Sequence, residues 1–198
     1  METESALHLR ELRLPEMKTI YQTYMTVDFP RNELRPFSSV ILLHGQGRYA
    51  GYGLFDGQEQ LQAYVFFARL QEDAQCHYLV DYLAVLPDRR DRGLGSVLLS
   101  LLPEALQTSG CIVGEVEDPD MTEDPDEKTV RQRRIAFYLR AGYLDTGVKV
   151  NLFGVDYRIM EIPCPTGHSP ETIRAVYSAI YRSFLPEPVF RAKVQVRI

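Results

Sequence analysis

The chain has 198 residues, 45% hydrophobic and 25% charged, with a formal net charge of −5; at this length one domain can bury roughly 70% of the surface its unfolded form exposes. No segment approaches the 18 or more uninterrupted apolar residues of a membrane helix, the opening "METESALHLRELR" lacks the apolar core of a secretory signal, and an acidic chain without a basic stripe matches nucleic acid poorly. A cytoplasmic protein is expected, with neither nucleic acid nor membrane as partner. Cys76, Cys111 and Cys164 are far apart, and His8, His44, His77 and His168 contain no i, i+4 pair. Neither a disulfide framework nor a protein-bound metal is expected from them.

In chain order, "LHLRELRL" alternates as a first strand, and a helix behind Pro15 carries Met17, Ile20, Tyr21 and Tyr24 at helical spacing. Two prolines in "FPRNELRPFSS" end it, and residues 39 to 47 suit a short helix or a strand equally. "RYAGYGLFDG" and "QLQAYVFFARL" are strands joined by the hairpin signal Asp56-Gly57, and "CHYLVDYLAVLP" is a third. From Gly95 to Gln107 the leucines fall on one helical face, with Pro103 expected to kink or shorten the helix. "CIVGEVE" is a strand, "EDPDMTEDPDEKT" an acidic loop, "VRQRRIAFYLRAGY" a helix stopped by Gly142. Two strands follow with a turn near Gly154, then a helix over 171 to 184 and a final alternating strand "VFRAKVQVRI". This order predicts an α/β chain with a mixed sheet and helices on its faces. A domain over 1–162 would carry a helix-strand extension, 163–198, packed on it.

Between the third of those strands and its helix lies "RDRGLGS", residues 90 to 96. A helix N-terminus offers unpaired backbone N–H groups and a partial positive charge, so a loop feeding it suits an anion. Glycines there admit close approach, and arginines add attraction at a distance. The same residues also suit an ordinary turn with solvated arginines.

The flanks favour the first reading. "LAVLPDRRDRGLGSVLL" resembles the central motif of the GNAT superfamily of acyl-CoA-dependent N-acyltransferases, in which [RQ]-x-x-G-x-[GA] follows a strand ending in a V-x-P-like turn. "RRIAFYLRAGY" looks like that superfamily's helix A-x-x-x-Y-x-k-x-G-F, with Tyr138, Gly142 and Tyr143 in register, although Arg131 and Arg134 stand where Asn and Ala are common. The resemblance spans roughly residues 5 to 160 and implies the GNAT fold with acetyl-CoA as co-substrate. By it, the amides of Arg90, Asp91, Arg92, Gly93, Leu94, Gly95 and Ser96 hold the coenzyme A pyrophosphate. Leu83, Ala84 and Val85 pair with the pantetheine arm, and a strand amide near Val85 meets the acyl oxyanion.

The resemblance also assigns chemistry. Tyr138 matches the phenol that protonates the departing sulfur, and a phenol with a pKa of about 10 is protonated near neutrality. Glu115 matches a glutamate that serves as base in one branch, and Asp81 lies at another position from which a base or substrate ligand is drawn. Glu115 and Glu117 share a strand face, and charge repulsion with Asp81 would raise one pKa. Glu33 and Glu117 are candidate ligands for a cationic amine. The acidic loop could attract such a substrate by its field or be simply solvated. No GxSxG or other nucleophile arrangement occurs, so transfer is expected to be direct. The expectation is an acetyl-CoA-dependent N-acetyltransferase acting on a primary amine of a small molecule or peptide. A non-catalytic acyl-CoA-binding or sensing protein is the alternative, and a homodimer remains open.

Overall fold

The computed structural model describes residues 7–198 apart from Asn32. The chain folds as two compact units. The first holds residues up to Arg69 together with Asp81–Leu106, and the second holds Leu70–Val80 together with Gln107–Ile198. Strands β3 (Leu61–Glu72) and β4 (Gln75–Val85) give residues to both.

In the first unit, β1 (His8–Glu11), β2 (Tyr49–Phe55) and β3 pair antiparallel in that order. Helix α1 (Leu14–Ile20) starts behind Arg13, whose backbone N–H is taken up by the Glu16 carboxylate at 2.8 Å, so one orphan donor of the first turn is satisfied. It continues through a π turn, Tyr21–Met25, into α2 (Thr26–Asp28), and Met17, Ile20 and Met25 are buried. Residues 37 to 45 resolve as helix α3 (Phe37–Gly45); Val40 and Leu43, three apart, are its buried positions, which is helical and not strand spacing. β2 is buried along its whole length and β3 from Gln62 to Ala68. Gly51 is required there, because a Cβ would collide with the Phe66 ring lying across β2.

Helix α4 (Leu94–Leu106) buries Leu98, Leu99, Leu102 and Leu106 and runs on through Pro103. Pro103 leaves the Leu99 carbonyl without its helical donor, and the helix ends three residues later, at Leu106, so the expected shortening does not occur.

In the second unit, β5 (Ile112–Glu117) runs parallel to β4 over Tyr78↔Ile112, Leu79↔Val113 and Val80↔Gly114. Parallel neighbours need a crossover, and the segment containing α4 supplies it. β7 (Val155–Ile162) pairs antiparallel with β5 and with β6 (Leu144–Leu152), and β8 (Val194–Arg197) pairs with β6. The order here is β4-β5-β7-β6-β8.

Helix α5 (Pro125–Arg140) begins five residues before the expected start. Asp124 accepts N–H bonds from Asp126 (2.8 Å) and Glu127 (3.4 Å), Pro125 needs no acceptor, and the acidic residues favour the positive end of the helix. Part of the acidic segment is therefore a helical turn. α6 (Pro170–Phe184) is capped by Ser169 and buries Ile173, Val176, Tyr177, Ile180 and Tyr181. The strand expected over 189 to 198 is only half a strand, since α7 (Glu187–Lys193) occupies its start. Pro186 and Pro188 suit a first helical turn, and Glu187 holds Arg191 one turn on at 2.8 Å.

The architecture is the expected mixed α/β class, a mixed sheet with flanking helices. No helix among the described residues is long and apolar enough to cross a membrane.

Candidate active site

In the first unit, β4 ends at Val85 and passes through a 3-10 turn, Pro87–Arg89, toward α4. Asp91 and Gly93 take the left-handed region, φ +62° and +75°. The first helical bond shown at this end runs from Val97 N–H to Gly93 C=O at 3.1 Å. The N–H groups of Leu94, Gly95 and Ser96 thus stand in the first turn, where no carbonyl four residues back lies within the helix. Gly95 is buried, while Arg92, Gly93 and Ser96 are exposed.

Arg90 is built into this loop. It donates to Asp28 (2.8 Å) and to the Val85 carbonyl (3.3 Å), and Asp28 also accepts from the Tyr64 hydroxyl at 2.9 Å. Arg89 pairs with Asp88 at 3.3 Å. The arginines expected to act through space are thus partly committed to carboxylates of their own unit.

Asp81 is also engaged. It accepts from Arg35 Nε at 3.0 Å and from the buried Tyr49 hydroxyl at 2.5 Å. Burial, then the neighbouring Asp81 charge, pushes Tyr49 well above its ordinary pKa, so that phenol stays a donor. Tyr82 accepts from the Arg35 N–H (2.7 Å) and donates to the Glu33 carbonyl (2.8 Å), which pins residues 33 to 35 by their backbone. Glu33 itself is exposed.

In the second unit, α5 carries Tyr138. Its ring lies 5.2 Å from Phe137 and 5.1 Å from Tyr143, and burial raises its pKa above 10. The turn behind it is closed by Tyr143 N–H on the Tyr138 carbonyl at 3.0 Å, with Gly142 at φ +88°. Among the described residues, the buried Tyr143 hydroxyl has no hydrogen-bond partner.

Glu115 on β5 accepts at one oxygen from Tyr177 (2.5 Å) and Tyr181 (2.7 Å) of α6. Glu117 pairs with Arg131 and Arg134 of α5, each at 3.2 Å. The two arginines that depart from the family pattern thus serve as its counter-ions. Asp118 is 1% exposed and bound by Lys149 (2.8 Å) and Arg158 (2.9 Å). Burial opposes its charge, yet those cations keep its pKa below the ordinary value.

A further group was not foreseen. Cys111, Glu161 and His168 bring their ligand-type atoms within 4.8 Å of one another. Glu161 takes the His168 ring at 2.5 Å and its backbone N–H at 3.0 Å, and burial with the Glu161 charge pushes the Cys111 thiol up to about 12. A carboxylate–imidazole hydrogen bond beside an inert thiol accounts for this arrangement.

Sequence reasoning did not identify Arg35, Tyr49 and Tyr82 around Asp81, Asp28 beneath Arg90, or Tyr177 and Tyr181 on Glu115. The Glu115 partners are 62 and 66 residues away, and no local pattern carries such a pairing.

A family model described as the acetyltransferase (GNAT) family matches residues 7–143. Among solved structures, an acetyltransferase assigned to the GNAT family from Bacteroides thetaiotaomicron matches with a TM-score of 0.65 at 19% identity, over 89% of this chain and 97% of its own. Spermidine N-acetyltransferase from Vibrio cholerae in complex with CoA and spermine matches with a TM-score of 0.56 at 15% identity, over 79% and 94%. A dodecameric structure of that enzyme matches with a TM-score of 0.54 at 15% identity, over 79% and 92%. At these identities the likeness is one of fold. Comparison with curated proteins returned no match.

Proposed function

Because the chain belongs to the acetyltransferase (GNAT) family, we propose that it transfers an acetyl group from acetyl-CoA directly to a primary amine of a small molecule or peptide. The observation that carries this reading is the left-handed backbone at Asp91 and Gly93 opening into the first turn of α4. Consecutive N–H groups in that setting match a pyrophosphate. Arg90 through Ser96 are assigned to it, and Leu83 to Val85 to the pantetheine arm.

The neutral amine nitrogen attacks the thioester carbonyl, Glu115 takes the proton released from nitrogen, and the carbon–sulfur bond breaks as the Tyr138 hydroxyl gives its proton to the sulfur. Glu115 is taken as the base by its match to the family's glutamate, with Asp81, held by Arg35, as the other carboxylate from which a base or substrate ligand is drawn. Glu117 is likewise held by two arginines, which leaves Glu33, exposed beside a backbone pinned by Tyr82, to meet a cationic amine. Polyamines belong in the substrate panel, since a fold relative binds CoA and spermine. Two copies of the chain as an assembly are also consistent with the oligomeric relative.

Release of free thiol from acetyl-CoA, measured over a panel of polyamines, small primary amines and peptide N-termini, tests the reading. Turnover with at least one amine is expected. Binding of coenzyme A by calorimetry with no thiol release from any amine would replace the enzyme by an acyl-CoA-binding protein.

A further inference from the structure

Tyr177 and Tyr181 stand one helical turn apart on α6, so the helix presents both hydroxyls to one point. That point is a single oxygen of Glu115, at 2.5 and 2.7 Å. The two rings are 0% and 7% exposed and lie 4.9 Å from each other. A phenol has one proton to give, and both are given to the same acceptor. Two donors on one carboxylate oxygen favour its ionised form, replacing the water that burial removes.

Glu117, two residues along β5, is held by Arg131 and Arg134 of α5. On β7 the residue opposite Glu115 is Ile159, flanked by Tyr157 and Glu161. Glu161 is bound to His168. Burial and the Glu115 charge hold Tyr177 well above its ordinary pKa, so it remains a donor across the neutral range. Neither phenol lies within residues 7–143, where the family model matches.

We infer that Tyr177 and Tyr181 are positioning residues that hold the Glu115 carboxylate ionised and oriented for proton abstraction, so that α6 completes the base of the transferase. This rests on the reading of Glu115 as that base. The clamp has a readable consequence: the base stays deprotonated, and turnover persists, to lower pH than an unclamped glutamate at a half-buried position would allow.

The test compares the pH dependence of kcat/KM for the whole chain and its Tyr177→Phe, Tyr181→Phe and Glu115→Gln variants, with coenzyme A affinity and thermal melting measured on each. Each Tyr→Phe change keeps the ring and removes one donor, and should move the acidic limb up by roughly one pH unit with coenzyme A affinity unchanged. Glu115→Gln should lower kcat by about 100-fold or more. If Glu115→Gln retains full turnover, the base reading fails and the clamp falls with it. If Glu115→Gln is inactive while both tyrosine variants keep the parent profile, the base stands and the clamp is overturned. Carboxyl 13C titration of Glu115, assigned by its loss in Glu115→Gln, reads the same property without any tyrosine variant. A titration at or above the ordinary glutamate range would overturn the inference even if those variants fail to fold.

Discussion

A phenol that is to protonate a departing thiolate must keep its proton until the sulfur asks for it. Burial raises the Tyr138 pKa above 10, which makes it a reserve of one proton at neutral pH. Tyr138→Phe keeps the ring against Phe137 and Tyr143 and deletes that proton. It should lower kcat by about 100-fold or more while calorimetry finds coenzyme A affinity unchanged; full activity in the variant would return Tyr138 to packing. At this scale the sequence nominates Tyr138 and Glu115 because each sits inside a short stretch resembling a family pattern, "FYLRAGY" and "GEVE". It does not nominate their partners. Tyr49 and Arg35 meet Asp81 from 32 and 46 residues away, and only the folded backbone brings such pairs together. The same pairings change the meaning of residues read correctly by type, since an acid already bound by a guanidinium has less to offer a substrate.

At the scale of elements, the loop into α4 depends on backbone conformation more than on side chains. A Cβ at Gly93 would meet nothing within 4 Å, but φ there is +75°. Gly93→Val therefore causes strain without collision, of about 1–2 kcal/mol. The loop is expected to leave the conformation that aims its amides, weakening coenzyme A binding at least tenfold in calorimetry with only a small fall in Tm. Gly93→Asn, whose side chain tolerates the left-handed region better, should lose less, and equal affinity in both variants would remove the pyrophosphate assignment. Most elements were legible from periodicity and punctuation. The start of α5 was hidden because its capping acids look like a loop, and the front half of the last strand became α7 because Pro186 and Pro188 start a helix as readily as they end one.

For the molecule as a whole, the count of 27 Asp and Glu overstates how many carboxylates stand without a cation beside them. Glu117, Asp118, Asp120 and Glu127 meet Arg131, Arg134, Lys149 and Arg158 within their own unit. A run of acids in sequence is thus not an equal concentration of field, and the fold turns part of it into cross-links. Acid stability reports such pairings. In the other unit, the hydrogen bond from Arg10, joined by contacts from Arg13, outweighs burial and holds the Glu16 carboxyl down from 4.5 to about 2. A depressed native pKa adds stability that is fully present above the unfolded value and is lost as pH falls through the native one. Glu16→Gln should therefore show a smaller drop in Tm than the parent as pH is lowered from about 4.5 to about 2, and parallel melting curves for the two proteins would remove Glu16 from the account.

The Arg90–Asp28 contact carries a kinetic consequence. With Arg90 bound to Asp28 and Arg89 to Asp88, much of the loop's cationic charge is cancelled before a ligand arrives, and what faces the anion is a set of short-range dipoles. Dipoles of fixed backbone act over a turn of helix and are little affected by a Debye length near 10 Å. If the loop holds the acyl donor as proposed, capture would depend on geometric fit at contact more than on ionic strength, and an acceptor carrying positive charge would meet reduced repulsion there.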